Sequence, residues 1–228
     1  MINHPDEQKI KVATDAVIFS VIDGQLMALL IQMRKDPFAG MWAFPGGLLD
    51  NDETAEKAVR RILKQQTGVS RAYLDQLAVF DDPARDPFGR VISLAYYALI
   101  SAEGVQLRTT GKYSGVRWTA VDRLPKLAYD HWLMADTAVA HLRERLMYSD
   151  IVWSLLPDSF TLTELQTVHE AILGEKLDKR NFRKKVLALG LLKPLRRRST
   201  GRHRPARLYR FVSRHPAAAG IDNTVKID

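Results

Sequence analysis

Lysine and arginine are distributed along this chain so unevenly that two modules are implied. Residues 1–147 hold 18 Lys/Arg and 18 Asp/Glu, a balance of zero. Residues 148–228 hold 16 against 8, so the net charge of +8 arises wholly in the last third. Between Lys176 and Arg214 stand 15 basic residues and a single acid, Asp178. A chain of 228 residues suits two domains, which cluster near about 100–150 residues each. A basic surface beside a neutral one suggests a polyanionic partner for the second module. A merely solvated face is the alternative, but this stretch also carries a patterned apolar seam that tails lack.

Apolar residues make up 46% of the chain and long polar tracts are absent, which indicates globular folding. There is no cysteine, so disulfides and thiolate-bound zinc are excluded. The opening MINHPDEQKIKV has no apolar core of signal-peptide length, and no run approaches the ~18 apolar residues of a membrane span. A cytoplasmic protein without membrane contact is expected.

In the first module, KVATDAVIFSVI (11–22) and LMALLIQM (26–33) read as strands joined at Asp23-Gly24, a hairpin turn signal. WAFPGG follows a Pro- and Gly-containing loop. Residues 53–66 have helical periodicity, with Ala55, Ala58, Val59, Ile62 and Leu63 near one face and Gly68 as the stop. Strands are expected at 75–81, 90–100 and 115–121, and a second helix at 131–147. This order lacks the regular alternation of a doubly wound sheet and predicts an α+β sandwich.

After Tyr148 the expected order is a short helix stopped by Pro157, a helix at 161–173, and a third helix after the cap Asp178, closed by Gly190. Strands at 191–198 and 204–212 follow. Three helices and a hairpin are the order of a winged helix-turn-helix, so modules of 1–147 and 148–228 are assigned. In the third helix Phe182, Val186 and Leu189 form an apolar seam, while Arg180, Arg183 and Lys184 project from the opposite arc beside Lys179 and Asn181. That arrangement suits a recognition helix in a DNA major groove, where Arg reads guanine and Asn adenine. Leu187 also falls on the outward arc, where a thymine methyl is its one evident contact. Arg196, Arg197, Arg198, Arg202, His203 and Arg204 surround the hairpin turn and suit a minor groove or the phosphates. Some of them serve equally well to solvate an edge strand.

Residues 45–69, PGGLLDNDETAEKAVRRILKQQTGV, resemble the Nudix box, usually written G-x5-E-x7-R-E-U-x-E-E-x-G-U with U apolar. Gly47, Glu53, Arg61, Leu63, Gly68 and Val69 fit it, and Gly46, Pro45 and Trp42 are usual companions. The departures are Ile62, Gln65 and Gln66, where the family has glutamates. The spacing i, i+3, i+4 puts those positions on one side of a helix. The resemblance implies that the family's carboxylates there hold Mg²⁺ against a pyrophosphate for hydrolysis. Here only Glu53 and Glu56 remain, so no metal site, no cofactor and little or no hydrolysis are expected.

Other segments resemble ADP-ribose-type Nudix proteins over roughly residues 10–147: Phe80-Asp81, RDPFGR (85–90) with Asp86, and LAYDHWLM (127–134) with Asp130-His131. Arg34, Arg61, Arg85 and Arg90 are candidates to bind a pyrophosphate bidentately. Trp42 or Phe44 stacks on a base or belongs to the core. His131 is either a hydrogen-bonded helix-start residue or a metal ligand, and without cysteine partners the first reading is the commoner.

Nearly the whole chain resembles the Nudix-related transcriptional regulators of bacterial NAD metabolism. That resemblance implies a Nudix-like α/β/α sandwich with a mixed sheet followed by a winged helix-turn-helix. It further implies a homodimeric repressor on a pseudo-palindromic double-stranded DNA operator, released by ADP-ribose acting as effector. Two other readings remain: an active ADP-ribose pyrophosphatase with an accessory nucleic-acid domain, and an RNA- or non-specific DNA-binding protein.

Overall fold

Strand β1 (Lys11–Ile22) is buried without a break from Ala13 to Ser20 because both of its faces are covered. Ala16 and Ile18 face one cluster, with Val59 and Leu63 of helix α1 (Ala55–Thr67). Val17 and Phe19 alternate to the other, with Met134, Ala138 and Leu142 of helix α2 (His131–Tyr148). The strand period of two thus builds an α/β/α sandwich, as expected. A computed structural model describes residues 9–69, 72–103, 105–108, 110–148, 151–199 and 205–212; of Met147, Tyr148, Arg197 and Arg198 it describes the backbone alone.

The sheet is mixed. β1 runs parallel to β6 (Val91–Leu99), which pairs antiparallel with β5 (Tyr73–Phe80). β1 and β2 (Gln25–Met33) pair only near their turn, from Phe19↔Ala28 to Ile22↔Gln25. Beyond that they separate, and two short strands absent from the sequence reading enter the gap. β3 (Trp42–Ala43) pairs with β2, and β4 (Gly46–Leu48) pairs with β1. β7 (Tyr113–Ala120) closes the other side of β2. The divergence of β1 from β2 opens the space in which the site lies.

Helix α1 begins later than expected, at Ala55, because Thr54 is its cap and accepts from Lys57 N at 3.3 Å. Gly68, at φ 81°, ends it in a left-handed turn open to glycine at little cost.

The second module contains a 3-10 turn (Ile151–Leu155) where a short helix was expected. Helices α3 (Leu162–Leu173) and α4 (Lys179–Ala188) follow, and α3 is started by a capping box of Thr161 and Glu164. The sheet order is β8 (Phe160–Thr161), β10 (Arg207–Phe211), β9 (Leu192–Arg198). β8 was not foreseen, being only two residues long. One apolar cluster runs from Phe19 and Leu142 of the first module through Leu156 and Phe160 to Leu165, Ile172 and Phe211 of the second. Among the described residues no helix is long and apolar enough to cross a membrane.

Candidate functional site

A cavity of about 210 Å³ occupies the gap between β1 and β2. Asp15, Phe44, Gly46, Gly47, Arg85, Asp86, Lys112, Tyr113, Tyr129 and His131 are among its walls. Ligand pockets for drug-sized molecules span about 300–1,000 Å³, so this one is smaller than a whole drug-sized ligand requires.

Its centre is a buried ionic group. Arg85 donates to both carboxylate oxygens of Asp130, at 2.8 Å each, and its Nη2 lies 3.6 Å from Asp15 Oδ2. Burial alone would lower the guanidinium pKa, but the bonds to Asp130 and the charge of Asp15 raise it, so Arg85 stays charged. Ser93 Oγ donates to Asp15 Oδ2 at 2.6 Å. Phe44 N–H donates to His131 Nδ1 at 2.9 Å, which fixes the neutral tautomer with its proton on Nε2. Burial holds the His131 pKa down, against the pull of Asp15 and Asp130. Burial likewise raises the Tyr113 and Tyr129 pKa values, keeping both phenols protonated. Tyr129 sits at φ 54°, a strained backbone position for a non-glycine residue and one found preferentially at functional sites.

The box helix has a different use from the one its pattern suggested. Gln66 is buried, and its amide clamps the Gly46 backbone: Gly46 N donates to Oε1 at 3.2 Å and Nε2 donates to Gly46 O at 2.9 Å. Ile62 is buried beneath Gly47, whereas Gln65 is exposed. Arg61 binds Glu53 through two hydrogen bonds, and Arg60 binds Glu56 at 2.9 Å. Among the described residues no group of three metal-ligating side chains forms, and these residues do not fit a divalent cation.

Of the expected effector residues, the fold brings Phe44, Gly46, Gly47, Arg85, Asp86 and His131 to the cavity wall, with Asp130 behind Arg85. Five others lie outside that wall. Phe80 is buried in the cluster beneath α2, and Trp42 lies under Arg117, whose guanidinium carbon is 4.0 Å from the ring centre. Arg34 donates to Tyr113 O at 3.3 Å, Arg61 is tied to Glu53 and Leu48 O, and Arg90 donates to Asp81 O. None of these five lines the cavity, because carbonyls, carboxylates or the core already engage them. Asp15, Lys112, Tyr113 and Tyr129 were missed. Asp15 had a signal, a lone acid inside a strand rich in apolar residues, and Tyr129 lies within the LAYDHWLM segment; Lys112 and Tyr113 had none.

On the second module, Lys179, Arg180, Asn181 and Lys184 are exposed on α4, and Arg196 is exposed on β9. Asp178 caps α4 by accepting from Asn181 N at 2.8 Å. Phe182 and Val186 pack inward, Phe182 edge-on to His169. Two side chains are placed differently from the sequence reading. Arg183 is half-buried and donates to Thr163 Oγ1 at 3.3 Å, because its helical position turns toward α3. Leu189 is 43% exposed, because the helix ends at Ala188 and Gly190 turns the chain away before a third rung packs. Leu187 is exposed as expected. The side chains of Arg197 and Arg198, and all of Arg202, His203 and Arg204, lie outside the described residues.

Comparison with known proteins places these sites in context. Residues 11–139 match the model of the NUDIX domain, and residues 152–211 match that of the NrtR DNA-binding winged helix domain. The chain is 36% identical over 202 residues to the ADPR responsive transcriptional repressor NtrR of Acinetobacter baylyi, covering 87% of this chain and 80% of that protein. It is similar to the crystal structure of Shewanella oneidensis NrtR complexed with a 27mer DNA, with a TM-score of 0.77, 36% identity and coverage of 88% and 93%. The NUDIX domain of Shewanella oneidensis NrtR complexed with ADP ribose matches with a TM-score of 0.54 and 34% identity, covering 63% of this chain and 94% of that one.

Proposed function

Because the chain belongs to the NUDIX domain family and carries an NrtR DNA-binding winged helix domain behind it, we infer that it is a transcriptional repressor switched by ADP-ribose. Helix α2 is the observation that carries this reading. His131, its first residue, stands in the cavity wall, and the carbonyl of Asp130 just before it accepts from Leu133 N at 2.9 Å. Near its other end Arg143 Nε donates to Ile172 O at the close of α3, at 2.9 Å. Eighteen residues span about 27 Å, so one rigid element joins the cavity to the module that bears α4.

A ligand that binds better to one setting of α2 biases α3 and α4, and DNA affinity falls by that difference in affinity. The protein acts as a homodimer on a two-fold symmetric operator of NAD biosynthesis or salvage genes, in the cytoplasm. Arg180, Asn181 and Lys184 enter the major groove, and the wing meets the neighbouring backbone or minor groove. The first module uses no cofactor and does not hydrolyse its effector: Ile62 and the clamped Gln66 occupy two of the three helix positions at which the family holds its cation. A sensor that spares its ligand keeps its signal.

A mobility-shift series with ADP-ribose titrated into an operator complex tests the reading, alongside a hydrolysis assay with Mg²⁺. Release of operator DNA without turnover is expected. Equal binding to operator and random duplex, or turnover at roughly 1–1,000 per second, would overturn it.

A further inference from the structure

The hairpin of β1 and β2 reaches both modules. Ala13 and Asp15 of β1 and Ile31 and Met33 of β2 line the cavity from its two sides. From Phe19↔Ala28 to Ile22↔Gln25 the strands are paired with each other, so the arms part only toward the cavity. There β3 and β4 bridge them through Phe44 and Pro45, and Phe44 is itself a cavity wall. Asp23 and Gly24 close the other end at φ 50° and 73°, the two left-handed positions of a tight hairpin turn. Between Asp15 and Asp23 the chain extends by about 26 Å.

The turn rests on the second module. β2 packs on α3, and Val21 and Leu26 of the hairpin share one apolar cluster with Leu165 and Val168. At the tip, a Cβ on Gly24 would stand 3.4 Å from Thr167 Cγ2, so the turn lies directly against α3. Arg143 holds the same helix at Ile172 O. One contact fixes a point on a helix but leaves its direction free. A second contact at Thr167, about 7.5 Å earlier along the axis, fixes the direction as well. Helix α4 follows α3 through the bond from Arg183 to Thr163 and the edge contact of Phe182 with His169. The direction of α3 therefore sets that of the DNA-facing helix.

We propose that the β1–β2 hairpin is a second lever of the switch: a ligand that resets the gap between its arms swings the Asp23-Gly24 turn, which tilts α3 about the Arg143 contact and carries α4 with it. The proposal rests on the reading of the chain as a repressor switched by ADP-ribose, and assigns an element that carries the signal besides α2. The paired half of the hairpin is stiff along its length, and a close-packed contact passes a small displacement on instead of absorbing it. Thr167 touches neither ligand nor DNA in this scheme and acts as a positioning residue.

A reversible tether tests this. The chain has no cysteine, so Gly24→Cys/Thr167→Cys introduces a single disulfide between the turn and α3, whose closeness suits the about 3.5–4.5 Å between the Cβ atoms of such a bond. Operator affinity of the full chain is measured by fluorescence anisotropy with and without ADP-ribose, oxidised and after reduction. In wild type and in the reduced variant ADP-ribose should weaken operator binding about 5- to 150-fold. In the oxidised variant the effect should fall below about twofold, or operator binding itself should be lost until reduction. The strain of a side chain at φ 73° is common to both forms, so their difference reports the tether alone. Equal ADP-ribose effects in the two forms, or a disulfide that does not form, would overturn the lever. A wild type insensitive to ADP-ribose would overturn the repressor reading instead. If the double variant does not fold, or loses the effect even when reduced, Thr167→Ala decides. It should diminish the effect of ADP-ribose on operator binding while calorimetry finds ADP-ribose affinity unchanged, and an undiminished effect rejects the lever.

Discussion

Asp15 and Gly46 are register partners across β1 and β4, and a Cβ on Gly46 would fall 1.7 Å from Asp15 Oδ1. Only glycine lets the carboxylate rest against the strand and face the cavity. Gly46→Ala should therefore displace Asp15, cost about 1–3 kcal/mol of stability, and weaken ADP-ribose binding by at least about tenfold. Chemical denaturation and calorimetry measure the two effects. Wild-type affinity in a folded variant would show that Asp15 does not contact the ligand.

Restoring the family's glutamates should not restore an enzyme. The Gln66 amide donates to Gly46 O and accepts from Gly46 N, whereas a carboxylate only accepts and would face a carbonyl. Gln66→Glu is expected to cost about 1–3 kcal/mol. Ile62→Glu would bury a charge where Ile62 is 1% exposed. The triple variant Ile62→Glu/Gln65→Glu/Gln66→Glu should melt at a lower temperature without hydrolysing ADP-ribose in Mg²⁺. An unchanged melting temperature together with turnover would contradict this account of the loop.

Arg180 and Arg183 should separate recognition from packing. Arg180 is exposed on α4, so Arg180→Ala should weaken operator binding by about 1–3 kcal/mol and relax specificity at one base pair. Arg183 instead reaches Thr163 on α3, so Arg183→Ala should lower the melting temperature and weaken operator and random duplex alike. Fluorescence anisotropy on both duplexes, with thermal melts, tests the pair. Selective loss of operator binding in Arg183→Ala, at wild-type stability, would reverse the assignment.

Acid should destabilise the protein partly through His131. Its burial holds it neutral beside Asp15, Asp130 and Arg85, so its folded pKa lies below the unfolded value of about 6.5. As pH falls through about 6.5 the unfolded chain takes up a proton that the folded one refuses, and that difference is lost stability. The stability advantage of wild type over His131→Asn should thus shrink between pH 7.5 and 5.5, in urea titrations. An advantage constant with pH would mean that His131 titrates alike in both states.

Arg143 should carry coupling rather than binding. Arg143→Met removes the bond from α2 to Ile172 O. ADP-ribose and operator should each still bind, but each should change the other's affinity less than in wild type. Calorimetry of ADP-ribose with and without operator reads this directly. Full coupling in the variant would place the connection elsewhere.

Much of this protein was legible in its sequence because the signals are local. Apolar runs, the Asp23-Gly24 turn, helical periodicity and the basic last third each lie within a few dozen residues, and they determined two modules, their order and the DNA-facing one. β3, β4 and β8 escaped because strands of two or three residues have no periodicity to detect. Only the tertiary structure decided which polar groups are free. Arg85 meets Asp130 45 positions away, Asp15 meets Ser93 78 away, and Arg183 meets Thr163 20 away. Such pairings satisfy buried charge, and their partners are chosen by strand register and helix packing, not by neighbours in the chain. The missing glutamates were therefore visible as letters, while the clamp at Gln66 and the approach of His131 to Asp15 exist only in three dimensions.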